Sequence, residues 1–182
     1  MPESRNLIPN PKPLDQGMSY KQVTSHEILD GWLRVRGNDT DTGWIMKCWR
    51  GIDLDTNGTI GYRNGVRLAA PGDYVAEIGV CTPERLRLQF VLVLVSDSGE
   101  RIGTPISVIS DTSGTRTMRA DVTAGEPCWL TWLLRASAPT ANAREWGLRR
   151  MTIVSKPDYE RMREQGIIWF DGDGIVRGGA SS

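Results

Sequence analysis

Few side chains in this sequence could do chemistry. His26 is the one histidine among 182 residues, so Ser-His-Asp or Cys-His catalysis would have to use it. It lies in the polar, loop-like stretch Thr24-Ser25-His26-Glu27 with no nucleophile motif beside it, and reads as a surface histidine. Cys48, Cys81 and Cys128 are odd in number, widely spaced, and each in or beside an expected strand. That spacing argues against a zinc knuckle or a disulfide framework and for buried free thiols. Asp53-Leu54-Asp55-Thr56-Asn57-Gly58 follows the start of a calcium loop, with Asp53, Asp55 and Asn57 as the oxygen ligands of any calcium ion held there. The position that should supply a bidentate glutamate is Asn64, and the flanks have strand rather than helix character. The stretch therefore reads as an Asn57-Gly58 hairpin turn, followed by a second at Asn64-Gly65. Asp171 and Asp173 are a close carboxylate pair, but Gly172 and Gly174 make a turn of them. The expectation is a protein that is not an enzyme and holds no cofactor.

The elements that must position these residues are strands. Leu86, Leu88, Phe90, Leu92 and Leu94 fall on one side of a period-two pleat, so one face is apolar over its whole length and must be buried. The opposite face, Arg87, Gln89, Val91, Val93, Val95, starts polar and ends apolar, as in a strand that begins near solvent and runs under a cover. Gly31 to Arg36, Trp44 to Trp49, Tyr74 to Val80, Ile102 to Ser110, Thr115 to Val122, Cys128 to Arg135 and Trp146 to Val154 read as further strands. Turn residues separate them, and Thr82-Pro83-Glu84 reads as a loop before the central strand. Short strands at spacings of roughly 8 to 12 residues without interleaved helices predict an all-β fold, an antiparallel β-sandwich or jelly roll. One short helix is expected near the C-terminus, with Ser155 to Asp158 as its capping box, Pro157 in its first turn and Gly166 as its stop.

The domain reading is residues 1–30 as an extended N-terminal arm and first loop, 31–170 as the sandwich, and 171–182 as a flexible tail. Pro2, Pro9, Pro11 and Pro13 exclude a helix from the arm. Leu7 and Ile8 at one end and Ile167 to Phe170 at the other are apolar enough that both ends should dock on the sandwich. Twenty-two basic and twenty-two acidic residues cancel to zero formal charge without blocks of either sign, which leaves no footprint for nucleic acid. No apolar run approaches the ~20 residues of a membrane span, and Met1 to Asn6 shows no signal core.

Asn6-Leu7-Ile8-Pro9-Asn10-Pro11, the Gly31-Trp32 strand, Gly72-Asp73-Tyr74 and Trp169-Phe170-Asp171-Gly172-Asp173, taken in order, resemble minor tail proteins of phages that infect actinobacteria. That resemblance implies a β-sandwich similar to carbohydrate-binding modules, in a virion component assembled in the host bacterial cytoplasm. This chain departs from the family pattern in two places. Lys12-Pro13-Leu14 replaces the usual Ser-Phe-Glu, and Gly174-Ile175-Val176-Arg177-Gly178-Gly179 replaces the usual Thr and Trp-containing continuation. The implied partners are other virion proteins, further copies of the chain, and host cell-wall glycan. The other readings of such a sandwich are a carbohydrate-binding module of an extracellular protein and a capsid decoration protein.

Flat aromatic rings stack on the apolar faces of pyranoses, so seven tryptophans in a small sandwich invite a glycan reading. Trp44, Trp49, Tyr62 and Trp146 are the candidates for glycan or partner contact. Trp129 and Trp132, three apart on one strand, must face opposite ways.

Overall fold

The computed structural model of the chain describes Leu7 and residues 18–21, 23–37, 43–48, 66–137, 145–170 and 175–177. The strands are β1 (Met18–Lys21), β2 (Val23–Leu29), β3 (Trp32–Gly37), β4 (Gly43–Cys48), β5 (Val66–Leu68), β6 (Gly72–Val95), β7 (Arg101–Ala124), β8 (Cys128–Ser137), β9 (Glu145–Ser155), β10 (Ile167–Phe170) and β11 (Ile175–Arg177). Among the described residues there is one helix, α1 (Lys156–Glu164), between β9 and β10.

The backbone of the architecture is the antiparallel hairpin of β6 and β7, each 24 residues long. The first part of β6 pairs with β9, from Tyr74 opposite Ser155 to Cys81 opposite Gly147. The second part pairs with β8, from Arg87 opposite Ser137 to Val95 opposite Trp129. β9 continues outward through β3 to β2, while β8 continues through β4 to β1 and also pairs with β5. A single nine-stranded sheet therefore curls into two halves that share one hairpin. Leu33, Val35, Trp146 and Leu148 from one half meet Leu88, Phe90, Leu130 and Trp132 from the other in one core cluster. This is the antiparallel β-sandwich that the alternation predicts.

Parity carries through the bend. Tyr74, Ala76, Ile78 and Val80 face the core before it, and Leu86, Leu88, Phe90 and Leu92 after it. On the other side of β6 the gradient expected from sequence is present, from exposed Arg87 through half-buried Gln89 and Val91 to buried Val93 and Val95. Phe90 meets Trp132 edge to face, with ring centroids 5.9 Å apart.

Several expectations change. Thr82-Pro83-Glu84 is not a loop between strands but a bulge within β6, where pairing to β7 is interrupted between Thr82 and Leu86. Pro83 has no N–H to donate there, which lets the strand kink without ending. The matching stretch of β7 likewise joins what sequence reads as two strands. Within the stretch assigned to the arm and first loop, Met18–Lys21 and Val23–Leu29 form β1 and β2, and Thr24 to Glu27 are strand. β2 lies at the sheet edge with both faces in water, so it has no alternation to read. The tail assigned to 171–182 contains β11, which pairs back onto β10 through Phe170 opposite Ile175.

The helix forms where its cap predicts. The Asp158 N–H donates to Ser155 Oγ at 3.3 Å, and the Ser155 hydroxyl returns a bond to Asp158 Oδ2 at 2.7 Å. Gly166, at φ +68, turns the chain at its end. Tyr159 and Met162 of α1 pack with Val75, Val154 and Ile167, so the helix covers the outer face of the first half-sheet. Leu7 is half-buried against the core and its N–H donates to Ile153 O at 2.8 Å, which docks that part of the arm.

Candidate functional site

Beyond the helix, the outer face of the same half-sheet is open. In β3, Leu33 and Val35 point inward, so Trp32, Arg34 and Arg36 point outward. Register places Arg34 between Glu27 of β2 and Gly147 of β9, and Arg36 between Ser25 and Glu145. Cys81 lies opposite Gly147 on the next strand. These side chains, with Pro83 at the bulge, line a groove of about 350 Å3.

The end of the groove is built around Trp32. A Cβ added at Gly147 would stand 3.1 Å from Cε3 of its indole, so the ring can lie across the sheet because position 147 has no side chain. The guanidinium carbon of Arg149 sits 4.1 Å from the centroid of the same ring. Arg149 in turn runs over Gly79, where an added Cβ would be 3.2 Å from its Cγ. Burial lowers the Arg149 pKa, and the neighbouring charge of Arg150 lowers it further. Along the groove, Arg36 and Glu145 approach to 3.8 Å and Arg34 and Asp30 to 4.0 Å, both in exposed positions where such pairs are worth little. The arrangement sets a partly exposed indole, with Arg149 stacked on it, among donors and acceptors of both signs.

A second tryptophan is committed elsewhere. Trp129 faces out and Trp132 into the core, as their spacing requires. The Trp129 Nε1–H donates to Asp97 Oδ1 at 2.9 Å, and Arg67 lies over its ring at 5.2 Å while also pairing with Asp97. Hydrogen bonds from Arg67 and Trp129 hold the Asp97 carboxyl below its usual range. The trio fastens the turn after β6 to β5 and β8, and leaves the indole N–H spent.

Of the contact residues expected from sequence, Trp146 is 1% exposed and belongs to the core, and it also forms part of the wall of the groove. Trp44 is placed in β4 with its backbone opposite Ala136. Trp49 and Tyr62 lie outside the described residues, as do Asp53, Asp55 and Asn57 of the calcium reading and Asp171 and Asp173. Among the described residues no group of three or more His, Cys, Asp and Glu side chains converges as a metal site. Trp32, which is not among the residues expected from sequence, lines the groove. The outward parity of Trp32, Arg34 and Arg36 against inward Leu33 and Val35 is legible in sequence, but its pairing with Gly147 and Arg149 is not.

No protein-family profile matches the sequence, and no curated protein matches it. Similarity is found among solved structures. A family 16 carbohydrate-binding module superposes with a TM-score of 0.54 at 12% identity, over 82% of this chain and 100% of that one. A family 61 carbohydrate-binding module in complex with β-1,4-galactotriose gives 0.51 at 14% identity, over 84% and 100%. The enzymatically active domain of tailspike protein 4 of bacteriophage CBA120 gives 0.54 at 7% identity, over 81% of this chain and 21% of that one. These likenesses define the fold as a β-sandwich of the carbohydrate-binding-module type.

Proposed function

We propose that the chain is a phage virion protein, a minor tail protein, whose sandwich attaches to other virion proteins and whose Trp32 groove binds glycan on the host cell surface. The observation that carries this reading is the groove itself. A partly exposed tryptophan in a groove with Arg34, Arg36, Glu27 and Glu145 suits a polyhydroxylated ring that needs an apolar contact and hydrogen bonds of both kinds. The fold supports it, since one sandwich of this shape is seen with a galactotriose and another occurs within a phage tailspike. The role is binding, without bond-making chemistry or a cofactor, and the protein acts in the particle after assembly in the host cytoplasm. It self-associates, because closed symmetric homo-oligomers are the common solution for such appendages.

Two measurements test this. Mass spectrometry of purified particles should detect the chain, and a glycan array should show binding that Trp32→Ala abolishes. Absence from particles would remove the virion role. Array binding unchanged in the Trp32 variant would remove the groove. Light scattering of the isolated protein should show an oligomer, and a clean monomer at high concentration would overturn self-association.

A second reading, a carbohydrate-binding module of an extracellular protein, is favoured by the complete coverage of the family 16 module. Retained glycan binding by a chain that is absent from particles would select it. If the protein is in particles, immunogold labelling of the head rather than the tail would make it a capsid decoration protein.

A further inference from the structure

The core residues of β9 skip a beat. Trp146 and Leu148 face the core, as do Met151 and Ile153, so two consecutive residues, Arg149 and Arg150, stand where strict alternation would place one. The register to β6 shifts at this point, between Glu77 opposite Thr152 and Gly79 opposite Arg149. Arg150 takes φ +51, a left-handed conformation that is strained for any residue with a Cβ. A bulge of this kind re-aims side chains without disturbing the core on either side of it. Here it sets Arg149 over Trp32, beside the residues that line the groove, with the half-buried Arg150 next to it in the chain.

Arg149 is held in place by carbon rather than by charge. Its stem crosses Gly79 and its guanidinium stacks on Trp32 at 4.1 Å. Among the described residues neither Arg149 nor Arg150 makes an ion pair or a side-chain hydrogen bond. The other arginines along the groove differ, since Arg34 and Arg36 each have a carboxylate at 3.8 to 4.0 Å. A guanidinium pinned by stacking keeps its planar fork of N–H donors, and that fork matches carboxylate and phosphate oxygens in bidentate geometry. A neutral ligand would leave the paired positive charges uncompensated.

From the Trp32 stack, the bulge and the unpaired fork of Arg149, with a second arginine adjacent to it, we infer that the groove selects an anionic saccharide, its carboxylate or phosphate bound by Arg149. This rests on the glycan reading of the groove and narrows it to a substrate class.

The test is an array of matched glycan pairs read with the full chain at two salt concentrations. Uronate oligosaccharides are set beside their methyl esters, and phosphorylated sugars beside their unphosphorylated parents. The wild-type protein should bind the charged member of a pair at least about tenfold tighter, with the advantage shrinking at high salt. Whether the preferred pair carries carboxylate or phosphate identifies the anion. Arg149→Gln should bring charged and neutral members of a pair to within about threefold of each other. Arg149→Lys, which keeps the charge but loses the fork, should retain only part of the preference. Equal binding of charged and neutral members by the wild type would overturn the inference and leave the glycan reading standing. A preference that survives Arg149→Gln would overturn the assignment to this arginine, and binding to no glycan at all would overturn both readings.

Discussion

The indole of Trp32 rests against Gly147, and the distance from its Cε3 to the place a Cβ would occupy is 3.1 Å. The glycine is needed for space rather than for backbone freedom, since its φ lies outside the left-handed region. Gly147→Ala should therefore push the ring outward by a few tenths of an ångström. Because Trp32 is half-exposed and can yield, the stability cost should be about 1 kcal/mol, the low end for overpacking. Glycan binding should weaken several-fold while the fold persists. Tryptophan emission, thermal melts and array binding of this one variant would check all three outcomes.

Tyr159 fixes the helix to the sheet. It is 5% exposed, its hydroxyl donates to Glu77 Oε2 at 2.7 Å, and the Arg119 guanidinium lies 4.6 Å from its ring centroid. Tyr159→Phe leaves the Glu77 carboxyl without that donor and should cost roughly 1.5–3 kcal/mol, the range for hydrogen bonds to charged groups, in urea unfolding.

The same contact makes an alkaline prediction. Burial, and then the hydrogen bond to Glu77, raise the Tyr159 pKa above its ordinary value of 10.0. A raised pKa means the folded state favours the neutral phenol, so the contribution is full below about pH 10 and declines as pH rises toward the folded value. Melting curves across that interval should fall more steeply for the wild type than for Tyr159→Phe. Parallel curves would show that the phenol does not govern helix docking.

The cysteines divide by place. Cys128 is buried and burial raises its thiol pKa, whereas Cys81 is partly exposed and lines the groove. Iodoacetamide on the native protein, followed by peptide mass mapping, should modify Cys81 well before Cys128. A bulky maleimide at Cys81 should then reduce glycan binding at least tenfold, because it fills the groove beside Gly147.

Truncation after Gly166 removes β10 and β11 together with Ile167, which packs with Tyr159 and Met162. Burial of a side chain of this size is worth roughly 1.5–3 kcal/mol. For a chain of this length, at about 2–4 °C per kcal/mol, the melting temperature should fall by roughly 3–12 °C. An unchanged melting temperature would make the terminal hairpin an accessory rather than part of the fold.

The sequence by itself determined the class of fold, because burial of a sheet face is written in period two. Leu86 to Leu94, Trp129 against Trp132, and the Ser155 cap are local signals whose meaning needs no distant partner, and each stands in the structure as read. Polar β2 is not legible in sequence, because an edge strand in water carries no alternation. The Thr82 to Glu84 bulge was missed because proline marks a break whether or not the neighbouring strands continue past it. The groove belongs to tertiary structure alone. Trp32 lies more than a hundred residues before Gly147 and Arg149 and meets them only because β3 pairs with β9. Tertiary packing likewise decided that Trp146 is core and Trp32 is surface, since an indole is equally suited to either and only the register of its strand chooses the side.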